Sequence, residues 1–264
     1  MASDVTRYTN KVFMAGALPL LKTIATDVPE IAKKFSGVDA VYQVSAMVNA
    51  QDKEAVHFIV ENGEWSCKLG EYFGQKKIDA ELEFSSMERM NEFFKGKMTS
   101  LPKMKIKSFS KFMKFMTVLL KMSSLLGIKE PPEDEQLCLL LCKLYFYLLS
   151  SGISQLNKMG HPDIHDWTLK SPDRVYQWAV EDHPECTAYL RIKAGKSRAG
   201  RGEYKRSKPF FCMKFDTAQH ALMILLGTGD MLQMTKDKQL IMEGAPEFGA
   251  MIGDYMMLVG DLAS

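Results

Sequence analysis

The sequence predicts an α+β chain built as two similar units. Three observations carry that prediction: short echoes that recur in order, helix caps set at the matching distance, and an apolar stripe that closes each half. Val41-Tyr42-Gln43 returns as Val175-Tyr176-Gln177, Gly70-Glu71-Tyr72 returns as Gly202-Glu203-Tyr204, and AELEFSSMERM answers FCMKFDTAQHA. The offsets run 134, 132 and 131 residues, so the register drifts only through small changes in loop length. A repeat on this scale implies two copies of one folded unit.

Each element follows from local chemistry. The chain begins with VFMAGALPLL, an apolar run that Asp4 precedes, Pro19 interrupts and Lys22 ends, which reads as an amphipathic first helix in place of a signal peptide. Strands come next. AVYQV is followed by the turn NAQDKE and then AVHFIV, which ends at Asn62-Gly63; RVYQW is followed by EDHPE and then TAYLRIK, which ends at Ala194-Gly195. Ser85-x-x-Glu88 and Asp216-x-x-Gln219 have capping-box character, with Phe84 and Phe215 before them. Past the caps, Met87, Met90, Phe94 and Met98 share one helical face, and Ala221, Leu222, Leu225 and Leu226 answer them.

A further strand follows in each half, KMKIK at 103–107 and KQLIM at 238–242, and an amphipathic helix closes it. The first closing stripe is Phe109, Phe112, Met113, Met116, Leu119 and Leu120; the second is Phe248, Met251, Ile252, Tyr255, Met256 and Val259. Pro246 suits the first turn of the second helix, and Gly249 and Gly253 leave it a smooth face. The expected division is a first unit over 1–128, a linker over 129–136 within the Pro-rich, acidic GIKEPPEDEQ, and a second unit over 137–264.

Composition narrows the class. Hydrophobic residues make up 46% and charged residues 25%, as in an ordinary soluble globular protein, and a net charge of +2 gives no bulk attraction to nucleic acid. Five cysteines without framework spacing read as free thiols of a reducing, cytoplasmic compartment. QLCLLLCKLYFYLLSSGI is barely long enough to span a bilayer and carries Lys143 near its middle; it is expected to be a buried helix between two domains, not a transmembrane span.

This order of elements resembles the sterol carrier protein 2 family, written twice. The residues that carry the resemblance are the hairpin strands, LEFSSMERMNEFFKGKM in the first half, and MKFDTAQHALMILLGTGDM with QLIMEGAPEFGAMIGDYMMLVGDL in the second. The first half departs from it: MKIKSFSKF lacks the glycine of LIMEGAPEF. The resemblance implies, in each unit, a mostly antiparallel sheet covered by helices that enclose an apolar cavity, and it implies non-catalytic binding and transfer of a fatty acyl chain, an acyl-CoA or a sterol-like lipid.

Methionine fits such a cavity. Of 19 methionines, seven fall in 84–122 and seven in 223–257, the matching parts of the two halves. The unbranched thioether adapts to irregular space, although a methionine stripe at helical spacing is also ordinary core. The candidate lining residues are Met87, Met90, Phe94, Met98, Phe109, Phe112, Met113 and Met116 in the first half. In the second they are Leu222, Leu226, Met231, Met242, Phe248, Met251, Ile252, Tyr255 and Met256. Burying a sixteen-carbon chain at about 0.8 kcal/mol per methylene yields about 12 kcal/mol before association costs, enough for micromolar binding without polar machinery.

The segment RIKAGKSRAGRGEYKRSK carries eight basic residues. Arg191, Lys193, Lys196, Arg198 and Arg201 are candidate contacts for a phosphate, coenzyme A or an anionic membrane surface, against the plainer reading of a solvated hairpin that resists edge pairing. Its AGKS is not a P-loop, because Leu190 stands where the motif needs glycine. HPDIHDW (161–167) reads as a connector and no metal is expected there; Cys67, Cys138, Cys142 and Cys212 read as packing residues, and His57 and His220 as structural histidines. No catalytic residue and no cofactor is expected. Two other readings stay open: an enzyme for a bulky apolar substrate with one half as scaffold, and an interaction protein whose methionine-rich faces fill each other and leave no void.

Overall fold

The structure, a computed structural model, describes residues 3–97 and 99–264, without the side chain of Pro246. The chain divides into two units, Met1–Leu125 with Leu262–Ser264, and Leu126–Asp261. The fold is α+β, with one five-stranded, mostly antiparallel sheet and its helices in each unit.

The first unit opens with α1 (Asp4–Val12), a π-helical turn (Phe13–Ala17), α2 (Leu20–Asp27) and α3 (Pro29–Phe35). The sheet strands are β1 (Ala40–Met47), β2 (Lys53–Glu61), β3 (Glu64–Leu69), β4 (Ala80–Phe84) and β5 (Lys103–Ile106), with α4 (Met87–Phe94) between the last two and α5 (Phe109–Leu126) after them. The second unit opens with α6 (Glu135–Lys158) and α7 (Pro162–Lys170). Its strands are β6 (Arg174–Val180), β7 (His183–Lys193), β8 (Lys196–Arg201), β9 (Phe211–Phe215) and β10 (Leu240–Glu243). Helices α8 (Ala218–Leu225) and α9 (Met231–Lys236) precede β10, and α10 (Pro246–Ala263) ends the unit.

The sheets have the same order. The first runs β3-β2-β1-β4-β5 and the second, read from its β8 edge, runs β8-β7-β6-β9-β10. In each, one central pair is parallel, β1 with β4 and β6 with β9. The registers also agree: Tyr42 faces Phe58 and Ala80, and Tyr176 faces Leu190 and Phe211, at the offsets of 132 and 131 residues already present in the sequence.

Turn chemistry explains the hairpins. Asn62 (φ 50°) and Gly63 (φ 85°) join β2 to β3; Ala194 (φ 44°) and Gly195 (φ 81°) join β7 to β8. Two successive positive φ values make the tight turn whose twist matches the strands. The helix caps fall one residue later than the sequence pattern suggests. Ser86 accepts from the Arg89 amide and Thr217 from the His220 amide. Both caps are the last residues in extended backbone, which is where a cap must stand. Asp216 instead accepts from the Thr217 amide and bonds His220 Nδ1.

Two expectations are corrected. HPDIHDW is no connector: Pro162 opens α7, as proline does at a first helical position, and His165 Nδ1 reaches Asn157 Oδ1 at 3.0 Å. The apolar 136–153 stretch is part of α6, the opening helix of the second unit, packed on β7, β8 and α8. This helix is long and apolar enough to cross a membrane, and 72% of its most apolar window is buried within the protein.

Candidate ligand-binding site

Each closing helix places an apolar face over its sheet, and the two do so differently. In α10 the expected stripe faces inward: Ile252, Met256 and Val259 are buried, and Phe248, Met251 and Tyr255 are half-buried. Its contacts around Gly249 and Gly253 are soft. A Cβ on Gly249 would lie 2.6 Å from Met242 Sδ and 3.2 Å from Phe211 Cζ, and one on Gly253 would lie 3.7 Å from Met231 Cε. Trp178, fully buried on β6, donates its indole N–H to Met256 Sδ at 3.2 Å. Over 247–260 no side chain of α10 forms an ion pair among the described residues. Leu222 is buried and Leu226 half-buried where α8 packs on α6 and β9.

In α5 the buried face is Phe112, Phe115, Val118, Leu119, Met122 and Leu125. Phe109, Met113 and Leu120 are exposed and Met116 is half-buried, so the helix is turned by roughly 100°, one residue position, from the expected stripe. The cause is tertiary. Phe115 stacks flat on Tyr42, with ring centroids 4.5 Å apart and planes 7° from parallel. Tyr42 Oη donates to the Lys111 carbonyl, while Lys111 pairs with Asp79, Lys114 reaches the Lys34 carbonyl and Lys121 pairs with Glu30. Met87, Met90 and Phe94 lie on α4, which packs on α1: Asn10 Nδ2 donates to Met90 Sδ at 3.4 Å and Phe94 meets Phe13 at 5.4 Å. Met98 lies outside the described residues.

Two depressions are open to solvent, the first of them lined mainly by charged side chains. One of about 270 Å³ in the first unit is lined by Asp39, Lys76, Lys77, Asp79, Lys107 and Lys111. One of about 310 Å³ in the second is lined by Glu130, Pro131, Gln219, Met223 and Thr228. The apolar hollow expected beneath the helices is neither of these; aromatic and thioether side chains occupy the ground beneath α5 and α10.

The opposite face of each sheet explains the echoes. Gln43 accepts the Tyr72 amide through Oε1 at 2.8 Å and donates through Nε2 to Glu81 at 2.8 Å. Gln177 accepts the Tyr204 amide at 3.2 Å and points Nε2 at Cys212 Sγ, 3.9 Å away. The V-Y-Q and G-E-Y segments are thus two ends of one link that ties the loop after the third strand across the sheet. Burial pushes the Glu81 carboxyl up, but bonds from Lys53, Ser45 and Gln43 outweigh it and hold its pKa at about 2. At the matching register in the second unit stands Cys212, whose thiol burial raises to about 11. Sequence pattern marked the glutamines as an echo and gave no sign of these partners.

The basic hairpin separates into two faces. Arg191 pairs with Arg198 across the strands and Lys193 with Lys196, so these four share a face. Arg201 lies on the other, over the Tyr147 ring at 4.7 Å, so the five do not form one patch. Arg191 makes two bonds to Asp173, at 2.7 and 2.6 Å, and Lys193 adds a contact at 3.4 Å; Lys196 and Arg198 remain exposed.

Nucleophile chemistry has little support. Cys138, Cys142 and Cys186 donate to backbone carbonyls, and burial raises the Cys142 thiol well above the ordinary range. His57 Nδ1 meets the Gly70 carbonyl at 2.7 Å, a structural contact. Among the described residues no His, Cys, Asp and Glu group is placed to hold a metal.

No family model and no curated protein matches the chain. Among solved structures it is similar to a sterol carrier protein 2, with 12% identity and a TM-score of 0.29 over 47% of this chain and 93% of that one. A second is described as UbiJ-SCP2, a ubiquinone synthesis protein, at 15% identity and 0.28 over 44% and 96%. A third is a conserved hypothetical protein of Thermus thermophilus, described as possibly a sterol carrier protein, at 12% and 0.28 over 47% and 84%. Likenesses at this level speak to neither ligand nor activity.

Proposed function

We propose that the chain is a tandem of two copies of one module, of the sterol-carrier kind, and that it binds and transfers an apolar ligand without catalysis. The observation that carries this reading is the seat of α10. A helix that rests on Met231 and Met242 and turns its own Met256 onto Trp178, with no ion pair over 247–260 among the described residues, can be displaced by an alkyl chain that makes equivalent dispersion contacts. The second unit is the carrier in this reading. In the first, the stacked Phe115 and three lysine tethers hold α5 down.

The ligand takes the ground now occupied by the inner face of α10, which is why no hollow need stand open beforehand. The exposed Lys196 and Arg198, with Lys205 and Arg206 on the following loop, supply the charge for docking to an anionic membrane surface during delivery.

Lipid extraction of the purified protein followed by mass spectrometry, together with displacement of a fluorescent fatty acid, tests the proposal. Co-purified or displaceable long-chain lipid at micromolar concentration is expected. A protein that carries no lipid and leaves the probe free would leave the alternative of two interlocked, solid faces.

A further inference from the structure

Three hydrogen-bond donors of the second unit lie close together, and the only acceptor they share is the Tyr176 oxygen itself. The Arg174 guanidinium lies 4.0 Å from the Phe210 ring centroid and 5.1 Å from that of Phe248, and no carboxylate pairs with it among the described residues. Its neighbour Asp173 is held by Arg191 and Lys193. Two residues along β6, on the same face, Tyr176 is fully buried and its Oη makes no hydrogen bond of ordinary geometry. Trp167 of α7 stands with its ring 5.2 Å from Tyr176, and its Nε1 is equally buried and unbonded. Burial raises the Tyr176 hydroxyl above the ordinary tyrosine range; hydrogen bonding and charge from Arg174, and hydrogen bonding from Trp167, pull it partly back, so it is the phenol proton that has no acceptor.

The matching tyrosine of the first unit shows what is missing. Tyr42 Oη donates to a backbone carbonyl of α5 at 3.2 Å. The second unit leaves that bond unmade, and an unpaired buried donor is costly. A guanidinium and an indole N–H that both reach one phenol, whose own proton is unaccepted, suit a further acceptor with several lone pairs and a negative charge. A carboxylate meets all three; an alcohol or an ester carbonyl leaves the guanidinium uncompensated. Asp163, Asp166 and Asp254 act on the nearby Tyr255 hydroxyl, but all three are solvent-exposed and screened, and Asp166 is paired with Lys170.

We propose that Arg174, Tyr176 and Trp167 form a head-group site for the carboxylate of an apolar acid whose tail lies beneath α10. The site rests on the carrier reading and narrows it, from apolar ligands in general to acids over their neutral counterparts.

The test is displacement of a neutral fluorescent alkyl probe by dodecanoate and by dodecanol, on the full chain. The wild-type protein is expected to prefer the acid by tenfold or more. Arg174→Met should bring the two affinities together by weakening the acid alone, and Tyr176→Phe and Trp167→Phe should each lower the preference several-fold. Circular dichroism checks folding; should Arg174→Met unfold, the two aromatic variants decide. Equal affinity for acid and alcohol in the wild type, or a preference unchanged in the variants, overturns the head-group site and leaves the carrier reading standing. Displacement by neither ligand overturns both.

Discussion

Gln43 holds Tyr72: its Oε1 accepts the tyrosine amide at 2.8 Å while its Nε2 donates to the buried Glu81. The second unit repeats the link from Gln177 to Tyr204 but ends it on a thiol, Cys212. Gln43→Ala therefore leaves the Tyr72 amide unpaired and strips one donor from Glu81, with an expected loss of about 1–3 kcal/mol by urea denaturation. Gln177→Ala should cost less, because its second partner is a weak acceptor 3.9 Å away.

Acid should weaken the first unit through Glu81. Its folded pKa, about 2, lies below the ordinary value of 4.5. A depressed carboxyl contributes stability that is present above the unfolded pKa and is lost as pH falls through the folded one. Thermal melts are expected to show that loss between about pH 4.5 and 2, and Glu81→Gln should flatten this part of the profile. An unchanged profile in the variant would assign the acid transition to other groups.

Ala194 occupies the left-handed region at φ 44°, where its Cβ is strained. The corresponding residue of the first unit is Asn62, which tolerates that backbone. Ala194→Asn is expected to raise the melting temperature, with a gain of about 1 kcal/mol. A lower melting temperature would show that the turn relaxes in solution.

Two glycines of the second unit should respond oppositely to alanine. A Cβ on Gly152 would meet Val259 methyls at 2.6 and 3.0 Å, and a β-branched side chain yields little. Gly152→Ala is expected to destabilise by about 1–3 kcal/mol. Gly249 faces the flexible end of Met242, and the gain in helix propensity, about 1 kcal/mol, offsets the contact. Gly249→Ala should be near neutral in the same denaturation experiment.

Lys196 and Arg198 are exposed and form no ion pair among the described residues, whereas Arg191 and Lys193 are engaged by Asp173. Reversing the first two to glutamate should reduce co-sedimentation with anionic vesicles several-fold and leave neutral vesicles unaffected, with little change in stability. Equal loss on both vesicle types would point away from electrostatic docking.

Local chemistry writes a large part of this fold. The paired turns at Asn62-Gly63 and Ala194-Gly195, the caps to within one residue, and the order of strands and helices follow from residue type and spacing at a nearly constant offset. The second closing stripe, from Phe248 to Val259, was legible because its glycines and apolar residues leave one face for burial. The rest depends on partners far away in the chain. Phe115 turns α5 because Tyr42 offers a flat ring, and lysine tethers fix the turn; no periodicity in 109–126 contains that information. Gln43 and Gln177 were visible as an echo, yet their purpose lies in an amide almost thirty residues on and in the side chain opposite on the next strand. Arg174, Tyr176 and Trp167 come together only when α7 meets β6, since such a cluster is a property of a packed interior and not of the order of residues.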